Sequence, residues 1–415
     1  MKTHVPFIGI LILFLTISIG TFSQFTIYDT ANSNLVSNDC SRIAVDYNMK
    51  PWIGHANHGA SVMDSSGTSF INYGNTNSPL YGQFVSFILR DDNRMWLNEF
   101  FNGFYVHEVN VWTSIPWIPD FTIYGLYKTG NYLWIATKDA GIFKYDVATS
   151  KFEVYDNFNA LPTNYMLRIT GDTLGNIYAG TGFYGALKFD GSVWTNFTTS
   201  NSQMPSNNVY SVACDKFGNV WFGTDHGIAK LSSGGVWTIY DSLTTGLPGN
   251  YIRTIVPFNN KLVVATGGGG LGILNINTNT WTVFNIQNSN LPVNNVFDAA
   301  VSDSGDIWIT LPDYGIAVLH HYLTGGIANI SNDTRLNIYP NPSGKIVNID
   351  YIGTLPGAYM IDMLTAEGKV VLKTTGLSVD GSIQKTLDLS GLSSGIYILK
   401  IYGKNSVATK KLVIK

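Results

Sequence analysis

An all-β fold in two unequal modules is what the sequence predicts, and three observations predict it. Only 13% of the 415 residues are charged and 13% are aromatic, with 42 glycines and 14 prolines. One short aromatic strand recurs seven times. The charge changes sign near residue 331: residues 24–331 hold 14 Lys/Arg against 22 Asp/Glu, whereas Asp333 onward holds 10 against 6. Low charge with many aromatics excludes disorder, and glycines without a Gly-X-Y period exclude collagen. Two cysteines exclude a disulfide framework. A net charge of -3 gives no reason to expect nucleic acid or an anionic membrane as partner.

The N-terminus comes first. Lys2 precedes an apolar run from Val5 to Gly20, then Thr21-Phe22-Ser23-Gln24. A basic start, an apolar stretch and small residues before the cut read as a secretory signal peptide over 1–23. The run is short for a spanning helix, which wants about 20 residues. The mature protein is therefore expected to be soluble, without a transmembrane segment. With no cysteine after the cut, no lipid anchor is expected.

The repeats follow. They appear at Trp52-Ile53-Gly54-His55, Trp96-Leu97-Asn98-Glu99, Trp134-Ile135-Ala136-Thr137 and Tyr178-Ala179-Gly180-Thr181. They continue at Trp221-Phe222-Gly223-Thr224, Val263-Val264-Ala265-Thr266 and Trp308-Ile309-Thr310-Leu311. Successive copies lie 44, 38, 44, 43, 42 and 45 residues apart. A period near 43 rich in turn residues is that of a four-stranded propeller blade. Each unit reads as a Leu-Pro-x-Asn corner (Leu161–Asn164, Leu247–Asn250, Leu291–Asn294), an apolar first strand and an Asp-x-x-Gly turn (Asp172–Gly175, Asp215–Gly218). The aromatic second strand comes next, then a loop ending in Gly141, Gly185, Gly227 or Gly315, and two further strands. Six fourth strands begin at Phe70, Trp112, Phe152, Trp194, Trp237 and Trp281; the seventh unit lacks one. Phe25-Thr26-Ile27-Tyr28 matches Trp237-Thr238-Ile239-Tyr240 position by position, and Leu35-Val36-Ser37-Asn38 stands where a corner belongs. The expected fold is a seven-bladed β-propeller over 24–322, closed by the N-terminal strand, which removes an open sheet edge.

These repeats resemble the two-component regulator propeller family. The corners, Asp-x-x-Gly-Asn-Val-Trp-Phe-Gly-Thr at 215–224 and Gly227-Ile228 carry the resemblance. The family implies a propeller and often serves as the periplasmic sensor region of hybrid histidine kinases. No kinase or regulator segment follows the repeats here, so no sensor-kinase role is expected.

A linker over 323–334 leads into a small β-sandwich over 335–415, with seven short strands expected at 336–339, 345–351, 359–363, 370–375, 383–389, 396–402 and 409–414. Asn337-Ile338-Tyr339-Pro340-Asn341-Pro342 opens it, Glu367-Gly368-Lys369-Val370 makes a mid-domain turn, Gly395-Ile396-Tyr397 comes late, and Lys410-Lys411-Leu412-Val413-Ile414-Lys415 ends it. The module is similar to the type A C-terminal sorting domain of type IX secretion cargo. That resemblance implies Tyr339, Pro340, Asn341, Pro342, Gly395, Tyr397, Lys410 and Lys411 as the sorting signal, and the type IX machinery as partner. It also implies passage through the periplasm of a Gram-negative bacterium to release or to the outer-membrane surface.

Chemistry is sparse. The corners and the second-to-third-strand loops open on one face, which gathers Asn57, Phe101, Asp139, Tyr184, Asp225 and Tyr314 as candidate ligand-binding residues. Aromatics mixed with amides and carboxylates suit a glycan, a peptide or a surface protein. A non-catalytic secreted binding module is the leading expectation; the alternative is a polysaccharide lyase or hydrolase using His55, His58, Glu99 and His226 on that face. A general base needs hydrogen-bond reach to its proton, which sequence does not give. His55-Ala56-Asn57-His58 lies on a strand and loop rather than a helix face, so no metal site is expected, and no cofactor. Gly267–Gly272 joins two strands and reads as a permissive turn. Cys40 aligns with Val209, while Cys214 lies roughly 17 Å further along its strand, so two free thiols are expected.

Overall fold

The computed structural model describes residues 25–115, 122–320, 322–323, 336–352, 357–365, 370–378, 382–403 and 406–415. The expected signal peptide, the linker beyond Leu323 and the Glu367–Lys369 turn lie outside the described residues. Among the described residues the chain is all β, without a helix.

Seven four-stranded antiparallel sheets occupy Thr26 to Leu319. Their first strands are Cys40–Val45, Val85–Asp91, Ile123–Thr129, Met166–Gly171, Val209–Cys214, Ile252–Phe258 and Asp298–Val301. In six sheets the strands follow chain order, as in Cys40–Val45, Pro51–His55, Ala60–Met63 and Phe70–Tyr73. The seventh borrows its fourth strand from the start of the sequence: Thr26–Tyr28 pairs antiparallel with Gly315–Leu319, Tyr28 opposite Ile316. The first strands touch one another in cyclic order, the seventh meeting the first.

Period-2 alternation gives each sheet two apolar faces, and seven apolar clusters alternate with the seven sheets. Trp52 and Val62 of sheet 1 pack on Val85 and Leu97 of sheet 2. Trp96 of sheet 2 packs on Ile123 and Leu133 of sheet 3, and Trp221 of sheet 5 on Ile252 and Leu262 of sheet 6. Trp308 of sheet 7 meets Ile43 and Ile53 of sheet 1. The repeated aromatic is thus the side chain that fills the gap to the next sheet; burying one contributes about 3 kcal/mol.

The other repeated residues hold the turns. Asp215 accepts from the amides of Phe217 and Asn219 through Oδ1, and from Asn219 Nδ2 and Trp221 Nε1 through Oδ2, all at 2.8–3.0 Å. One carboxylate closes the hairpin and fixes the indole. The corner asparagines do a second job. Oδ1 of Asn164, Asn250 and Asn294 accepts an amide seven or eight residues back, from Asn157, Ser242 and Ile286. Their carbonyls accept from Gly141, Gly227 and Gly270 of the preceding sheet. Asn38 repeats the pattern at the closure, where Gly315 N donates to its carbonyl at 3.1 Å. Gly315 has φ +81°, and a Cβ there would run into the carbonyl oxygen of Tyr28; only glycine fits.

The tail forms a three-stranded sheet (Leu336–Tyr339, Ile346–Ile352, Ser382–Asp388) and a four-stranded one (Val370–Ser378, Gly357–Thr365, Gly395–Gly403, Ser406–Ile414). These are the seven strands expected, with ends moved by a few residues. Val347, Ile349 and Tyr351 of the first sheet share a core with Ile361, Met363 and Leu399 of the second. Cys40 and Cys214 are free. Cys40 stands opposite His55 as Val209 stands opposite Thr224, which is the alignment the repeats implied.

Candidate functional site

Corners and second-to-third-strand loops share one end of the ring, and the candidate ligand-binding residues sit in those loops. Asn57 and Asp139 are exposed, and Tyr184 and Tyr314 are nearly half exposed. Asp225 is half-buried; it accepts from Asn208 Nδ2 at 2.9 Å and lies 2.9 Å from Nδ1 of the exposed His226. Phe101 is 71% exposed and Phe183 69%. Both have positive φ, +60° and +76°, a region that bulky residues rarely enter.

His55 and Glu99 occupy the repeat position that Thr137, Thr181, Thr224 and Thr266 hold elsewhere. There the threonine Oγ1 donates to the carbonyl of the glycine opening the third strand, as Thr224 does to Gly227 at 2.8 Å. His55 is fully buried; its Nε2 lies 2.7 Å from Ser61 Oγ, which donates to Asn72 Oδ1. Burial, with His58 nearby, pulls its pKa down to about 3, so the ring is neutral. Glu99 is fully buried as well and accepts from the amides of Tyr81 and Gln83 at 2.8 and 2.7 Å. Burial raises its pKa against those hydrogen bonds. His55 ties the second strand to the third, and Glu99 ties its strand to the connection that precedes the first, while His58 and His226 stay at the exposed rim. Among the described residues no group of three or more His, Cys, Asp or Glu is arranged to hold a metal.

Inside the rim lies a feature the sequence reading missed. Six first strands slip register with their second strands at the same place, around Ser41, Ser86, Tyr124, Leu167, Tyr210 and Arg253. A bulge re-aims side chains, and here the bulged residues and their neighbours line a cavity of about 220 Å³ at the centre of the ring. Arg42, Arg168 and Arg253 converge on it with Tyr124, Tyr165 and Tyr210. Arg42 Nε donates to Ser86 O at 2.8 Å, and Arg168 Nη1 to Tyr124 O at 2.7 Å. Arg253 lies over the rings of Tyr251 and Phe297, at 4.4 and 5.0 Å from their centroids. Burial, then the charge of Arg168, lowers the Arg42 pKa to about 10. Asp298 is near, but its Oδ2 accepts from Ile43 N and its Oδ1 from Thr254 Oγ1 and Ala299 N. The signal was present in the sequence: a basic residue three or four places after a corner asparagine (Asn38, Asn164, Asn250).

In the tail, the three segments expected from the sequence as the sorting signal meet at the last strand. Asn341 Nδ2 donates to Lys411 O at 2.7 Å, and Val413 N donates to Asn341 Oδ1 at 2.9 Å. Gly395 pairs with Ile414 and Tyr397 with Leu412. Lys410 Nζ donates to Leu336 O at 2.7 Å, and Tyr397 Oη to Ser393 O at 2.9 Å. Tyr339 is about half exposed, and Pro340 and Pro342 flank the Asn341 clamp.

Residues 337–415 match the secretion system C-terminal sorting domain, and residues 203–226 match the two component regulator propeller. No curated protein matches the sequence. Among solved structures, the extracellular domain of a protein titled as a hybrid two component system, from B. thetaiotaomicron, is similar over 94% of this chain and 57% of its own length, at 16% identity and TM-score 0.63. PorZ of Porphyromonas gingivalis, titled an essential bacterial surface component of the type-IX secretion system, is similar over 91% and 60%, at 18% identity and TM-score 0.56. YCF48 from Cyanidioschyzon merolae is similar over 68% and 95%, at 14% identity and TM-score 0.51. The chain spans about three fifths of the first two structures' length, and these likenesses speak for the fold. Residues 203–226 thus carry two-component regulator propeller sequence within a propeller-like all-β fold, and residues 337–415 carry a secretion sorting domain, which supports secretion or a cell-surface location.

Proposed function

We propose that the protein is a seven-bladed propeller over 24–322, joined by a 323–334 linker to an immunoglobulin-like sorting sandwich over 335–415, and that it acts as a non-catalytic binding module at the cell surface. The ligand is a glycan, a peptide or a surface protein, taken at the face that carries the corner and second-to-third-strand loops. One observation carries the reading. Phe101 and Phe183 stand at equivalent loop positions of sheets 2 and 4, exposed and at positive φ. Left-handed backbone at a bulky residue costs roughly 1–2 kcal/mol, and neither ring repays that in the core. Strain kept at an exposed position points to use.

The test has two arms. Glycan and peptide arrays probed with the protein should return ligands that a Phe101→Gly, Phe183→Gly double variant loses. Arrays that return nothing, or hits that survive the double variant, overturn the binding reading. For export, removal of 337–415 should leave the protein in the periplasm; unchanged surface delivery would overturn the sorting role.

A further inference from the structure

We infer that the central funnel binds one oxyanion group, a carboxylate, sulfate or phosphate, held by Arg42, Arg168 and Arg253, with the tyrosine rings packing on whatever carries it. The inference deepens the binding-face proposal by naming the chemistry its centre would take.

The charge arrangement argues for it. Three guanidiniums, protonated at any physiological pH, line one cavity of about 220 Å³. Like charges held close in a partly desolvated site repel. Among the described ion pairs none involves these three arginines. Among the described residues, the carboxylate beside them is Asp298, hydrogen-bonded to Ile43 N, Thr254 Oγ1 and Ala299 N; its single charge offsets one of the three. Net positive charge is therefore built into the site. Asp139 and Asp225 approach only the tyrosines at its mouth.

The donors are also preorganised. Backbone carbonyls of Ser86 and Tyr124 fix Arg42 and Arg168, and two aromatic rings fix the Arg253 plane. Nε of Arg253 is buried with no hydrogen-bond partner, although buried donors are almost always paired. An oxyanion supplies the missing charge, and guanidinium forks match planar or tetrahedral oxyanions. A metal cation would be repelled, and a neutral ligand would leave the excess charge in place. The cavity holds one acidic group with a small carrier, and Tyr210, edge-on to Tyr251 at 5.1 Å, offers a ring and a hydroxyl to that carrier.

Calorimetric titration of the full chain in chloride buffer with acetate, sulfate, inorganic phosphate, glucuronate and glucose tests this. At least one anion should bind saturably and glucose should not. Arg253→Gln should weaken that anion about tenfold or more, the loss of one charge-assisted hydrogen bond, with an unchanged urea midpoint. Tyr210→Phe, which keeps the ring, should weaken it by a smaller factor. Glucuronate binding more tightly than acetate identifies an acidic sugar as the source; sulfate or phosphate binding most tightly identifies a free inorganic ion or its ester. No saturable binding by any anion, or equal binding by a folded Arg253→Gln protein, overturns the inference. Array ligands captured by the rim alongside such a failure would refute the funnel site and leave the binding-face proposal standing.

Discussion

Corner and funnel are built by the same chain segments, a few residues apart, yet one repeats and the other does not. Asn38, Asn164, Asn250 and Asn294 make the same pair of hydrogen bonds in their respective sheets. The bulge positions that follow hold Ser41, Ser86, Tyr124, Leu167, Tyr210 and Arg253, with little in common. The difference teaches where this fold is constrained. A corner must stitch one sheet to the next, so its chemistry is fixed by geometry. Of the bulged side chains, Ser41 and Ser86 still reach the next sheet, donating to Val85 O and Ile123 O, whereas Tyr124, Leu167, Tyr210 and Arg253 line the cavity and are open to be chosen for a ligand.

Breaking the stitched part should cost the most. Gly315→Val forces a β-branched residue to φ +81° against the carbonyl of Tyr28, at the sheet where the N-terminal strand closes the ring. Strain and the displaced pairing together should remove about 3 kcal/mol or more of stability, read as a large fall in the urea midpoint. A midpoint unchanged within error would mean that the closing strand adds nothing. Asp215→Ala comes next. It leaves two amides, an amide side chain and the Trp221 indole without their acceptor, which should cost roughly 2–3 kcal/mol. Anion binding at the funnel should survive it.

His55 sharpens the comparison through pH. Its folded pKa, about 3, lies below the unfolded value near 6.5, so the unfolded chain binds the extra proton between them. Stability is then fully present above pH 6.5 and falls as the pH drops toward 3. From pH 7 to 5 this one ring should account for about 2 kcal/mol. Urea midpoints of the parent and a His55→Gln variant at those two pH values should show a steeper fall in the parent. Parallel profiles would show that His55 is not held neutral. In the tail, Asn341→Ala removes both clamps on the last strand and should cost about 1–2 kcal/mol, seen as faster hydrogen exchange at Lys411–Val413.

The sequence made the fold legible because its period survives in aromatic and glycine positions that geometry enforces. The missing fourth strand, the match of Phe25–Tyr28 to Trp237–Tyr240 and the seven tail strands all follow from patterns local enough to read. His55 and Glu99 attracted attention as chemically able side chains. Aligned with Thr137, Thr181, Thr224 and Thr266 they stand at a position whose side chain serves the sheet's own hydrogen bonds: His55 meets Ser61 on the third strand, and Glu99 accepts from Tyr81 and Gln83 ahead of the first. The funnel arginines escaped notice because they lie in three different units and at two different offsets. Arg253 is the bulged residue itself, while Arg42 and Arg168 follow one. Sequence periodicity cannot bring such residues together; only the ring does.

The smallest effect should have the opposite sign. Phe183 lies on the rim, 69% exposed at φ +76°, where its ring meets Tyr165 only at 6.5 Å. Glycine tolerates that backbone and loses little buried area, so Phe183→Gly should leave stability unchanged or raise it by about 0.5–1 kcal/mol, relieved strain offsetting the added freedom of the unfolded chain. At Gly315 the same backbone region is reserved for glycine by a neighbouring carbonyl; at Phe183 open space lets a large ring remain. A loss above about 1 kcal/mol would mean that Phe183 supports the fold, and the case for a rim kept under strain for a ligand would go with it.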